Sequence, residues 1–183
     1  DELGLYIIKE ACKDAQKLQK EGTPLSISVH ISPKQLESAV FVREVRRILQ
    51  EVDLHDIQLI LEVTERSLLS TSGRILERIR ELKQLGIQMS MDDFGMGHSS
   101  MMYLQENAFD EVKLDGSLVR QILENERSRD IVRGITRLAA SMQFHVVAEF
   151  VETREQMELL KALHCDIYQG YYYGKPCSLS LIH

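Results

Sequence analysis

The chain has 183 residues, of which 44% are hydrophobic and 27% charged, a composition typical of a soluble globular domain with one substantial core. Its formal net charge of −6 excludes binding of a DNA or RNA duplex through a basic surface. Cys12, Cys165 and Cys177 have no paired spacing, which indicates reduced thiols and a cytoplasmic location. No apolar run is long enough to cross a bilayer and no signal peptide begins the chain, so we expect no membrane contact by this domain.

Helical and strand patterns alternate along the chain. Apolar residues at helical spacing predict the first helix, and the capping boxes SPKQ and TREQ, at Ser32 and Thr153, begin two others. Runs rich in β-branched residues predict six strands. The first half of the predicted order is a helix ending near Gly22, a strand over 25–31, a helix to about Val52, a strand over 57–65 and a helix over 73–86. Strands over 87–93 and 110–115 follow, and then a helix to about Met142. The last predicted elements are a strand over 144–152, a helix to His164 and a strand within 166–174.

This alternation implies an α/β fold with a mainly parallel sheet, either a doubly wound open sheet or a (β/α)8 barrel. Nearly every predicted strand ends in polar side chains: His30, Glu62 and Glu65, Asp92 and Asp93, Lys113 and Asp115, Glu149 and Glu152, and Gln169. In a barrel the carboxyl ends of all strands converge on one mouth, whereas an open sheet concentrates function at one switch point. The distribution therefore favours the barrel.

The chain is short for a complete barrel. Such a fold typically has about 250 residues, and six strand–helix units do not close a ring of eight. The chain also begins with a helical pattern rather than a strand. We therefore expect residues 1–183 to form a single domain that lacks the first strand of the barrel.

Two adjacent carboxylates, Asp92 and Asp93, end the third predicted strand in the sequence QMSMDDFGMGHSS. At a barrel mouth they repel each other unless a cation neutralises them. Oxygen ligands favour Mg²⁺ or Mn²⁺ over zinc, and two such ions about 3.5–4 Å apart promote in-line attack on a phosphodiester. A polar strand end is the alternative for any single acid, but the repetition of the feature favours two ions.

Five motifs carry a resemblance to a known family: LEVTE, DDFGMGHSS, VKLD, VVAEFVET and QGYYYGKP. In this order and spacing, over essentially the whole chain, they resemble the EAL-domain family of bacterial cyclic di-GMP phosphodiesterases. The resemblance implies a (β/α)8-type barrel whose first strand, before Asp1, carries Glu-Ala-Leu. It also implies hydrolysis of cyclic di-GMP to linear pGpG, a homodimer, and regulatory or sensory domains outside this chain.

The resemblance further implies a role for each site residue. The metal ligands would be Glu62, Asp92, Asp93 and Glu149, with His30 in the position of the family's metal-binding Asn. The catalytic residues would be Lys113, which holds the attacking water or a phosphate oxygen, together with Glu149 and Asp93. Gln169, Asp115 and Ser99 would contact the substrate, and Glu65 would stabilise the loop after Asp93.

Departures from the family pattern leave the activity open. Imidazole, at His30, is a poorer ligand for Mg²⁺ than a carbonyl oxygen. Met96 and His98 remove two hydroxyls from the loop, and Phe150 adds bulk beside Glu149 where the family has Gly. These changes favour an alternative, a degenerate domain that binds cyclic di-GMP or a protein partner without hydrolysis.

A third hypothesis sets the resemblance aside. A lysine at the end of a barrel strand, such as Lys113, is where a Schiff-base aldolase keeps its amine. A Schiff-base lysine has no use for so many carboxylates, however, so the sequence disfavours this enzyme class.

Overall fold

The structure, a computed structural model, describes residues 2–19, 23–68, 74–95 and 101–179. Within these ranges helices alternate with six strands, which confirms the predicted α/β class. The strands are β1 (Leu25–His30), β2 (Ile57–Thr64), β3 (Gln88–Phe94), β4 (Glu111–Leu114), β5 (His145–Ala148) and β6 (Ile167–Tyr168). The helices are α1 (Glu2–Leu18), α2 (Pro33–Glu37), α3 (Ala39–Glu51), α4 (Glu65–Leu68), α5 (Arg74–Lys83), α6 (Met101–Gln105), α7 (Gly116–Arg120), α8 (Glu126–Met142) and α9 (Arg154–Ala162). None of the helices so described is long and apolar enough to span a lipid bilayer.

The first of two compact units comprises Asp1–Val63, Ser70–Met89 and Ser178–His183. Its strands β1 and β2 pair in parallel, with His30 opposite Glu62, and the first two residues of β3 come next in the strand order. Helix α1 packs against β1 and α3, and α5 packs against α2 and α3. The core of this unit is built from the apolar faces of these helices, including the fully buried Ile8 and Ile79.

The second unit comprises Thr64–Leu69 and Ser90–Cys177. Its strand order is β3-β4-β5-β6, and each neighbouring pair is parallel. All four residues of β4 are buried, as expected for a central strand of a parallel sheet covered by helices. Helix α8 packs against β5 and α7. The carboxyl ends of four neighbouring strands therefore lie at one edge of this unit's sheet.

Two of the predicted helices are each divided into two by capping residues. Ser32 begins α2 with the predicted capping box, but Ser38 then accepts a hydrogen bond from the backbone N–H of Phe41 and begins α3. Asn125 similarly accepts hydrogen bonds from two backbone N–H groups and begins α8 after a turn that follows α7. Side-chain acceptors of this kind satisfy the free N–H groups of a new helix, so they start helices inside a continuous apolar pattern.

Gly170 follows Gln169, two residues after the end of β6. It is held in a backbone conformation that only glycine tolerates. Its φ is +156°, and a Cβ built on it would lie 2.3 Å from the backbone nitrogen and oxygen of Val151. We expect Gly170→Ala to lower the free energy of unfolding by about 1–3 kcal/mol, measured by urea denaturation.

Gly134→Ala is the matched control for this substitution. Gly134 lies in α8, and a Cβ built on it has no neighbouring atom within 4 Å. Because alanine favours a helix interior, this variant should gain about 0.5–1 kcal/mol. Equal stability of the two variants would show that the strand end at Gly170 tolerates a side chain.

Candidate active site

An imidazole and a carboxylate meet in the first unit. His30 is the last residue of β1, and the register between β1 and β2 places it opposite Glu62. The Nε2 atom of His30 lies 3.0 Å from Oε2 of Glu62, at hydrogen-bonding distance. Glu62 is buried, whereas the His30 side chain is exposed. Both groups are metal ligands in proteins, and both lie near the carboxyl ends of their strands.

The adjacent acids Asp92 and Asp93 differ in their environments. Asp92 is buried, and its Oδ1 accepts a hydrogen bond of 2.9 Å from the backbone N–H of Asp93. Asp93 is exposed and has a φ of +57°, in the left-handed region. The register between β3 and β4 shifts between Met91 and Phe94, so the strand is irregular where the two acids lie. Such irregularities redirect side chains at strand ends.

Glu65 connects two segments of the second unit. It is the buried first residue of α4, directly after β2. Its Oε2 accepts a hydrogen bond of 3.4 Å from the backbone N–H of Gly95, which follows β3. The carboxylate therefore contacts the start of the segment that it was predicted to stabilise. Ser99, Met96 and His98, which the sequence analysis also singled out, lie outside the described residues.

Lys113 and Glu149 form a salt bridge at the sheet edge of the second unit. Lys113 is in β4, and Glu149 directly follows β5, whose last residue Ala148 pairs with Leu114. The Nζ of Lys113 lies 2.8 Å from Oε1 of Glu149. The lysine side chain is 5% exposed and the glutamate side chain 17%, so the salt bridge is largely shielded from water. This pair brings a cation and a carboxylate together where the sequence predicted both.

Asp115 and Gln169, two predicted substrate contacts, lie at the ends of β4 and β6. Asp115 begins α7, and its Oδ1 accepts a hydrogen bond of 2.8 Å from the N–H of Ser117. The backbone N–H of Gln169 donates to the carbonyl of Ala148 at 2.8 Å, and its own carbonyl accepts from Val151 at 3.1 Å. The Gln169 side chain is exposed. Hydrogen bonds thus fix the backbone of Gln169, while its side-chain amide faces solvent.

Arg120 lies near this edge without any signal in the sequence that places it there. Its guanidinium carbon lies 4.1 Å from the centroid of the Phe150 ring, the geometry of a cation–π interaction. Phe150 follows Glu149 and has a φ of +56°. The sequence showed that Phe150 adds bulk there, but no local pattern connects it to an arginine in another helix.

Cys165 and Tyr168 do not supply a group that ionises near neutral pH. Burial, and secondarily the charge of Asp166, raises the pKa of Cys165 to about 12. Burial also raises the pKa of Tyr168, whose hydroxyl donates to the carbonyl of Cys165 at 2.6 Å. A thiol is nucleophilic as its thiolate, so Cys165 is inert.

Comparison with known proteins gives likenesses over nearly the whole chain. A family model described as EAL domain matches residues 1–176. The cyclic di-GMP phosphodiesterase NbdA of Pseudomonas aeruginosa is 34% identical over 183 residues, which are 100% of this chain and 23% of that protein. The solved PaMucR phosphodiesterase in complex with c-di-GMP has a TM-score of 0.88 and 31% identity, over 100% of this chain and 74% of that one.

A structure of Klebsiella pneumoniae BlrP1 contains manganese and cyclic di-GMP. It is 27% identical to this chain, with a TM-score of 0.85, over 96% of this chain and 45% of that one. These likenesses confirm the predicted fold class, in which parallel strands alternate with helices. The chain spans between 21% and 23% of the length of several curated relatives, so those proteins contain long segments beyond the matched part.

The salt bridge between Lys113 and Glu149 should contribute to stability as well as to the site. Lys113→Met leaves a shielded carboxylate without its cation, and we expect the free energy of unfolding to fall by about 3 kcal/mol. Lys9→Met is the matched control, because Lys9 pairs with Glu51 at 2.5 Å on the exposed surface and should contribute little. Equal losses in the two variants, measured by urea denaturation, would contradict this expectation.

Proposed function

Because this chain belongs to the EAL domain family, we propose that it hydrolyses cyclic di-GMP to linear pGpG with two divalent metal ions. The observation that carries the proposal is the burial of charged side chains near strand ends, at Glu62, Asp92 and Lys113. A buried charge costs free energy unless a partner offsets it, and such groups cluster at functional sites. The likeness to phosphodiesterases supports the same reaction.

The donor set suits Mg²⁺ or Mn²⁺. The proposed ligands are the carboxylates of Glu62, Asp92, Asp93 and Glu149 and the imidazole of His30. They offer oxygen and nitrogen but no thiolate, which favours these ions over zinc. When bound, the ions supply Lewis acidity toward phosphate oxygens. Burial of Asp92 and its hydrogen bond from the Asp93 N–H hold one carboxylate oxygen in place, which supports a role for Asp92 as a metal ligand.

Lys113 and Glu149 are proposed to act as a unit. The ammonium group of Lys113 holds the attacking water or a phosphate oxygen by donating a hydrogen bond, and Glu149 orients the ammonium group through the 2.8 Å contact. Glu149 would also hold a metal ion or accept the proton of the attacking water, since its carboxylate has a second oxygen. Asp93, on the exposed side of the strand end, would hold a metal ion and so contribute to the same site.

The remaining roles concern the substrate and the surroundings. Gln169, Asp115 and Ser99 are proposed to contact cyclic di-GMP. Glu65 is proposed to stabilise the segment after β3, which its hydrogen bond to Gly95 supports. We also propose a homodimer, regulatory or sensory domains elsewhere in the parent protein, and a cytoplasmic location.

A non-catalytic domain that binds cyclic di-GMP is the second candidate function. The observation in its favour is Phe150, a bulky residue in left-handed backbone immediately after the proposed base or ligand Glu149. The two candidates share the ligand and differ in turnover. The Schiff-base hypothesis has no comparable support, because the amine of Lys113 is already bound by Glu149.

Asp92→Asn tests the metal-dependent reaction directly. We expect the wild-type protein to hydrolyse cyclic di-GMP with Mn²⁺, and Asp92→Asn to lose both hydrolysis and Mn²⁺ binding, because a shared carboxylate serves both ions. Asp93→Asn should retain one ion in calorimetric titration. Asp130→Asn, on the exposed surface of α8, is the control and should behave as wild type. Wild-type binding of cyclic di-GMP without hydrolysis in either Mg²⁺ or Mn²⁺ would favour the non-catalytic candidate.

His30→Asn should change the preference between metals. An amide oxygen is a better ligand for Mg²⁺ than imidazole, so the ratio of the rate with Mg²⁺ to the rate with Mn²⁺ should rise. His145→Asn is the control, because His145 is an exposed residue at the amino end of β5. An unchanged ratio in His30→Asn would show that His30 does not bind metal.

A further inference from the structure

Phe150 adopts a conformation that a large side chain seldom takes. Its φ of +56° lies in the left-handed region, where contacts between the Cβ and the backbone disfavour any residue but glycine. The residue is nevertheless 42% exposed, so burial in the core is not what holds it there. Such conformations persist where neighbouring groups hold them, and they cluster at functional sites.

Helix α7 supplies the groups that hold the ring. A Cβ built on Gly116, its first residue, would lie 2.5 Å from Cδ2 of Phe150, so the ring occupies the space that a side chain would fill. Arg120, the last residue of α7, places its guanidinium carbon 4.1 Å from the ring centroid. Gly116 and Arg120 are four positions apart and therefore share one helix face. The ring of Phe150 contacts this face at both positions.

The guanidinium of Arg120 keeps its hydrogen-bonding capacity in this arrangement. The guanidinium carries five N–H donors, and a contact of its carbon with the ring does not occupy them all. Among the described residues, no carboxylate or carbonyl pairs with these donors, and Arg120 is exposed. Lys113, in contrast, is bound to Glu149. Arg120 is thus an oriented cation with available donors, and it lies next to Phe150, the residue that follows Glu149.

We infer that Arg120, held on the ring of Phe150, binds a phosphate group of a guanine nucleotide. The identity of this ligand rests on the proposed function. Cyclic di-GMP carries two anionic phosphates, and the ions and Lys113 are assigned to the one that is cleaved. The other phosphate needs a cation of its own in a chain with a net charge of −6. A guanidinium edge matches two phosphate oxygens with two parallel hydrogen bonds.

Calorimetric titration of cyclic di-GMP in EDTA tests this inference without metal and without turnover. We expect Arg120→Met to weaken binding roughly 10- to 100-fold, the effect of losing charge-assisted hydrogen bonds. Arg120→Lys should recover part of the loss, since it keeps the charge but not the planar donors. Phe150→Leu should also weaken binding, because Arg120 loses the ring that orients it. Added KCl should reduce the difference between wild type and Arg120→Met through screening.

Arg137→Met is the control for a general change in charge, because Arg137 is exposed on α8. Thermal unfolding of every variant checks that the fold is retained. Unchanged affinity in Arg120→Met, equal losses in Arg137→Met, or no binding by the wild type in EDTA would each overturn the inference. Guanosine bound with the same dependence on Arg120 would overturn the assignment to phosphate in favour of the base.

Hydrolysis with Mn²⁺, measured on the same preparations, reports on the proposed function separately. Hydrolysis by the wild type combined with binding that does not depend on Arg120 refutes the inference alone. Binding that depends on Arg120 without any hydrolysis refutes the proposed catalysis alone.

Discussion

Strands that pair in parallel end at the same edge of their sheet, and the candidate site depends on this constraint. In the second unit, the pairing of β4 with β5 places Leu114 opposite Ala148, so Lys113 and Glu149 reach each other at 2.8 Å. In the first unit, the pairing of β1 with β2 brings His30 to 3.0 Å from Glu62. In both cases the paired residues are far apart in sequence, and a shift of register would separate them.

The buried charges of these units have partners. Lys113 is matched by Glu149, Glu62 by the imidazole of His30, and Asp92 by the N–H of Asp93. Because an isolated buried charge would be costly, these contacts let the fold hold acidic and basic groups in fixed positions before any ligand arrives. Side chains held in this way are suited to metal ions or a phosphodiester, whose charges require ligands with little freedom to move.

The backbone departs from regular geometry where the candidate chemistry lies. Asp93 and Phe150 both have positive φ, one at the irregular end of β3 and the other directly after β5. A left-handed residue turns the chain sharply, so consecutive side chains no longer alternate across the sheet. The turn at Phe150 directs its ring onto α7, and there it contacts Arg120. The left-handed turn directly after Glu149 thus connects the end of β5 with helix α7.

The sequence by itself determined the alternation of strands and helices, the capping boxes at Ser32 and Thr153, and the polar residues at strand ends, because periodicity and caps are local properties. It did not reveal that Ser38 divides a helix, since its apolar pattern continues across the break. Only the tertiary structure decided that Lys113 pairs with Glu149 and that the guanidinium of Arg120 lies over the ring of Phe150. Those contacts depend on the register between strands and on the direction in which each turn leaves its strand, which are set by packing between segments that are distant in sequence.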